Sequence, residues 1–173
     1  MLKIGKEPQK VCILSPLSCI LTVKPEKDKK MNNDTVKLLR ECNAGIKMGE
    51  SAIEKVLPHA KDEELKRSLE ICKNTHARLG DETHELLLEQ GADTKPPHPM
   101  AKAMSDIKIC AKIMMKNADE SIADVITDGC DMGIKSLHKY LNKYEAADEK
   151  AKSIARRLVA SEEYLELKMR NFL

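Results

Sequence analysis

Mostly apolar residues return along this chain in steps of three and four, and they do so in four separate stretches. Leu39, Cys42, Ile46, Gly49, Ile53 and Val56 form the first series. Leu65, Leu69, Cys72, His76, Leu79, Thr83 and Leu86 form the second; Ile126, Cys130, Ile134, Leu137 and Leu141 the third; and Ala151, Ala155, Leu158, Glu162, Leu165, Met169 and Phe172 the fourth. Such spacing keeps one face of a 3.6-residue helix turned towards a core. The first series predicts a helix from about Asp34, a good N-cap, to Leu57, where Pro58 stops it. The second predicts one from about Asp62, with Glu63 and Glu64 at the positive end of the dipole, to Gln90, with Gly91 as the residue after the C-cap. The third predicts Glu120 to Tyr144 and the fourth Asp148 to Asn171.

The first and second helices are joined by a short turn, as are the third and fourth, so each pair reads as an antiparallel hairpin. Between the hairpins stands a long link, residues 91–119. It opens on the stiff "TKPPHP" and continues as the amphipathic "MAKAMSDIKICAKIMM", whose Met100, Met104, Ile107, Ala111 and Met114 share one stripe. That stripe predicts a short helix packed on its own bundle; the alternative is a protein partner at Met100–Lys116, since methionine surfaces adapt to varied contacts.

The two hairpins match each other. Residues 42–47 read "CNAGIK" and residues 130–135 "CDMGIK", 88 positions apart, and the same offset carries Ile53 onto Leu141 and Val56 onto Tyr144. At an offset of 86, "KDEELK" meets "ADEKAK". Two similar hairpins with a long crossover between them predict an all-α, ferritin-like four-helix bundle over residues 31–173. The stretches "LLRECNAGIKMGESAIEKVL", "HARLGDETHELL" and "ADVITDGCDMGIKSLHKYL" resemble a bacterial family of ferritin-like four-helix-bundle proteins whose domain has no known function. The resemblance spans nearly all of the chain after Met31 and implies the fold, without a substrate or a reaction.

Composition agrees with helices. Charged residues make up 34% of the 173, Gly and Pro count seven each, and there is no Trp; a sheet protein would be richer in aromatic and β-branched residues. The net charge of +2 conceals an uneven distribution. Residues 1–30 hold seven Lys against three acids, which leaves 23 bases and 25 acids, or −2, in the remainder. A near-neutral body whose four aromatics all lie in the last third offers neither a basic field nor a stacking platform, so nucleic acid is not an expected partner. The first thirty residues differ from the rest: "VCILSPLSCILTV" is apolar but broken by Pro16. It is too short for a membrane span and lacks the small-x-small pattern of a signal peptide. Residues 1–30 read as a poorly structured extension, with Met31 a possible natural start. Six dispersed Cys, without a C-x-x-C pair, suit a reducing cytoplasm and a packing role.

The chemistry a ferritin-like bundle suggests is a di-iron centre, built from one Glu on each of two helices and a Glu-x-x-His on each of the other two. Asp81-x-x-His84 approaches the motif, but His84 stands beside the seam and the fourth helix has no His. What remains near the core is Glu50, His76, His138 and Glu162, one from each helix, a set able to hold one iron, manganese or zinc ion. The plainer reading is that His76 and Glu162 pair across the core, because a lone buried charge is expensive. Asp124, Asp128 and Asp131 read as a solvated stripe. Gly45/Gly49 and Gly129/Gly133 form two G-x-x-x-G pairs, which predict close packing of the first helix on the third or a homo-oligomer contact. Cys42 and Cys130 lie on apolar seams, where thiols are inert, and no nucleophile constellation emerges. The expectation is therefore a cytoplasmic, non-catalytic binding or assembly protein that needs no cofactor. The alternative is a metal-handling or oxidant-defence protein using those four residues.

Overall fold

The computed structural model describes residues 32–92 and 118–173. The N-terminal extension and the Met100–Lys116 stripe fall outside the described residues. Four long helices carry the fold: α1 (Asn33–Val56), α2 (Glu63–Glu89), α3 (Ala118–Lys143) and α4 (Glu149–Met169). Short 3-10 turns follow α1 and α4, at Leu57–His59 and Arg170–Phe172. At 24 and 27 residues, α1 and α2 are about 36–40 Å long. Among the described residues there is no strand, and no helix is long and apolar enough to cross a membrane.

Helix starts follow local chemistry. The Asp62 carboxylate accepts from the backbone N–H groups of Glu64 and Leu65, at 2.8 and 3.0 Å, and caps α2. The Asp148 carboxylate accepts from Ala151 N–H at 2.8 Å and caps α4. Gly91, at φ +62°, takes the left-handed turn that ends α2. The cap of α1 is not Asp34 but Asn32, whose side-chain oxygen accepts from Asp34 N–H at 3.1 Å. Asn32 gains a further bond by donating from Nδ2 to the Ala146 carbonyl in the α3–α4 turn, and that tertiary bond favours it over its neighbour.

Cross-contacts at the two ends establish the helix directions. Thr35, at the start of α1, accepts from Asp148 N–H at 2.9 Å. Lys61, before α2, donates its N–H to Asp119 at the start of α3, at 2.7 Å. So α1 begins where α3 hands over to α4, and α3 begins where α1 hands over to α2. Helix α1 packs on α2, α3 on α4, α2 on α4 and α1 on α3, and in each of these pairs the helices run in opposite directions. Helices α2 and α3 run the same way, so Ala92 and Ala118, which flank the undescribed link, lie at opposite ends of the bundle.

The interior divides into two apolar clusters. One gathers Leu39, Cys42, Ile46, Leu79, Leu137, Leu158 and their neighbours. The other gathers Ile53, Leu69, Cys72, Ile126, Cys130, Leu165 and theirs. On each helix the division falls in the same seven-residue gap of the seam: between Ile46 and Ile53, Leu79 and Cys72, Leu137 and Cys130, and Leu158 and Leu165. What stands in those gaps is the only concentration of polar chemistry in the described core.

Candidate functional site

In the gaps stand Gly49 on α1, His76 on α2, Gly133 beside the half-buried seam residue Ile134 on α3, and Glu162 on α4. Each is held there by the apolar residues one turn above and below it on the same seam. His76 is 1% exposed and Glu162 9%. His76 Nε2 lies 3.8 Å from Glu162 Oε1, an ion-pair contact rather than a hydrogen bond. The imidazole's other nitrogen, Nδ1, is 3.0 Å from the carbonyl oxygen of Cys72, one helical turn back, and 3.4 Å from the Cys72 sulfur. Cys72 Sγ in turn lies 3.7 Å from the Ser161 hydroxyl on α4.

The two glycines make the layer possible. A Cβ at position 49 would stand 2.9 Å from His76 Nε2 and 3.0 Å from Cδ2, and a Cβ at position 133 would overlap the Glu162 carboxylate. Each glycine therefore admits the polar side chain of the helix that follows it in the same hairpin. This corrects the expectation that the G-x-x-x-G pairs pack the first helix closely on the third, because Gly45 and Gly129 have no atom of another element within 4 Å of where a methyl would stand, and Gly49 and Gly133 meet side chains of α2 and α4. Gly80 does admit a neighbour, Ile46 Cγ2 at 3.4 Å.

Charge in the layer is set by opposing effects. Burial pulls the His76 pKa down, but its contacts with Cys72 and Glu162 outweigh burial and push it up to about 10. These contacts favour the imidazolium form, which faces the carboxylate. Glu162 Oε1 has that partner, whereas Oε2 is buried and accepts no hydrogen bond, a state that costs about 1–3 kcal/mol. The two seam thiols nearby are pushed up: Cys42 to about 12, by burial first and then Glu41, and Cys130 further, by burial and then the charge of Glu162. Both are buried and free, as their seam positions predict.

Of the four side chains proposed from sequence to surround a metal, the structure brings together two, His76 and Glu162. Glu50 is half-buried beside Gly49 on α1, and His138 is exposed on α3, where it lines a surface hollow with Leu141, Asn142, Lys152 and Arg156. Among the described residues no group of three or more His, Cys, Asp or Glu side chains is arranged to hold a metal ion. His84 and Asp81 are both exposed, in keeping with positions beside the seam. A feature that seam reading passed over is the pairing of Cys72 with His76. Its signal is plain in retrospect: four residues apart on one seam, the two side chains stack along one helix face.

Comparison with family models, with curated proteins and with solved structures found no match to this chain.

Proposed function

We propose that this chain is a ferritin-like four-helix bundle that acts by binding or assembly, and that its central layer is a di-iron ligand set reduced to a buried ion pair. The composition of that layer carries the reading. A di-iron bundle needs a single Glu on two helices, and α1 and α3 bring Gly49 and Gly133 to that level. It needs Glu-x-x-His on the other two. Helix α2 keeps the His of the motif, with Lys73 where the Glu belongs, and α4 keeps the Glu, with Leu165 where the His belongs. One imidazole and one carboxylate neutralise each other and satisfy a structural role without an ion.

Binding or assembly is supported by the outer faces. Met48, Ile71, Leu88, Met132 and Leu167 stand exposed, Met132 at 68%, and these are the large apolar side chains that a partner or a second copy would cover. Metal analysis of untagged protein, with light scattering on the same sample, tests the proposal. Less than about one metal ion per ten chains, an unchanged melting temperature after ferrous iron is added anaerobically, and a mass of two or more chains are expected. Stoichiometric iron, manganese or zinc that raises the melting temperature would overturn it, because an ion bound by the folded state must stabilise that state.

A further inference from the structure

Cys72 differs from the other two described thiols in what surrounds it. All three lie on apolar seams, and burial raises the pKa of Cys42 and of Cys130. Cys72 has an imidazole nitrogen at 3.4 Å on one side and a hydroxyl at 3.7 Å on the other, and the imidazole has a carboxylate behind it. Sulfur, imidazole and carboxylate in a row are the parts of an activated nucleophile: the group that attacks, its proton partner, and the group that orients the partner. The carboxylate is itself buried, with Oε1 turned to the imidazole and Oε2 unpartnered.

Burial limits what can reach the sulfur. Cys72 is 3% exposed, which shuts out a peptide or a sugar. Ser161, in contact with the sulfur, is only half-buried. A surface groove of about 390 Å³ between α2 and α4 is lined by Ser68, Ile71 and Tyr164, among others. Ser68 is one turn from Cys72, Ile71 is its neighbour, and Tyr164 is one turn from Ser161. The groove is thus lined by neighbours of Cys72 and Ser161, not by the sulfur itself, so only a molecule of nearly water's size and polarity suits the remaining distance.

We propose that Cys72 is an oxidant-reactive thiol, a modification site that hydrogen peroxide converts to sulfenic acid with His76 as its proton partner. The sulfur attacks one peroxide oxygen, an S–O bond forms and the O–O bond breaks. Sulfur loses two electrons to the peroxide. His76 gives a proton to the departing hydroxide and regains the one the thiol releases, so that thiol and peroxide become sulfenic acid and one water. The seam then carries an added oxygen between α2 and α4, where a redox change alters the packing of the two hairpins. The proposal is independent of the binding or assembly reading, which concerns metal and oligomer size.

The test uses the full chain, reduced, freed of reductant and treated with a chelator. Equimolar hydrogen peroxide is added at pH 7, samples are unfolded at intervals in dimedone with an alkylating reagent, and each cysteine peptide is read by mass spectrometry. Cys72 is expected to lose its free thiol at least tenfold faster than Cys42 and Cys130, with dimedone on its peptide. His76→Gln, of native helicity by circular dichroism, should slow Cys72 about tenfold and leave the other two unchanged. Equal rates at the three cysteines in the unmodified protein, or a Cys72 that survives peroxide sufficient to oxidise free glutathione, would overturn the proposal. So would an unaltered rate in a well-folded His76→Gln.

Discussion

A glycine inside a helix costs about 1 kcal/mol relative to alanine, and α1 and α3 carry two each. Their surroundings divide them. Gly45 and Gly129 have open space where a methyl would stand, so Gly45→Ala and Gly129→Ala should each stabilise by about 0.5–1 kcal/mol, read as a melting temperature about 2–4 °C higher. Gly49→Ala and Gly133→Ala should lower it, because the added methyl meets the His76 ring or the Glu162 carboxylate. Four substitutions of one type, opposite in sign by position, measure the central layer directly. His76 makes a second residue-level prediction. Its folded pKa of about 10 stands above the ordinary 6.5, so the stability it contributes is complete below pH 6.5 and is lost as pH rises through 10. The urea midpoint should fall between pH 7 and 9 and fall less in His76→Gln. Above pH 9 both proteins should weaken further, since Cys42 is held as a thiol to about 12 while the unfolded thiol ionises near 9.0. A midpoint flat from pH 7 to 9 in the unmodified protein would show that the imidazole is not held charged.

At the scale of helices, boundaries are where local chemistry is most easily tested. Asp148→Ala removes the carboxylate that accepts from Ala151 N–H at the start of α4, and should cost about 1 kcal/mol by urea denaturation. The backbone N–H of Asp148 would keep its bond to Thr35, which confines the effect to the cap. Asp62, Asp148 and Gly91 were legible in the sequence because a cap acts within three or four residues of itself. Asn32 was not, because the bond that selects it over Asp34 goes to Ala146 at the far end of the chain. The seams were legible for the same reason as the caps: steps of three and four need no knowledge of the neighbour, and Leu39, Leu69, Leu158 and Leu165 are all buried as their spacing requires. Positions beside a seam are another matter. Glu50 and His138 each follow a seam residue by one step, and such a position turns inward or outward with the angle at which two helices wedge together. His138 turns out. So His76 and Glu162, which lie on the seams, were found, and the other two members of the supposed site were placed by a repeat offset that says nothing of wedge angle. The glycines show the same limit: the 88-residue match pairs Gly45 with Gly133, whereas the layer pairs Gly49 with Gly133, one helical turn away.

For the whole molecule, the buried pair matters because it joins the hairpins: His76 belongs to the first and Glu162 to the second. Two hairpins with greasy faces can pack in several registers, each one turn of helix apart, and apolar surface alone discriminates weakly among them. A charge that finds its partner at one register only penalises every other, since a slip of one turn, about 5.4 Å, would leave both charges buried and unpaired. Breaking the pair should therefore be far more damaging than replacing it. His76→Leu alone leaves the Glu162 carboxylate uncompensated, and Glu162→Met alone leaves the imidazole so; each should cost about 3–5 kcal/mol in urea denaturation. The double variant, which fills both places with apolar side chains of similar size, should recover most of that loss, a non-additive result of the kind that marks two groups in contact. If the two losses instead add in the double variant, the pair does not couple the hairpins, and the layer between the two apolar clusters has some other reason to be polar. Recovery of stability with loss of a sharp, single melting transition would identify the pair's contribution as register, because a core of uniform grease can be stable and still lack one preferred arrangement.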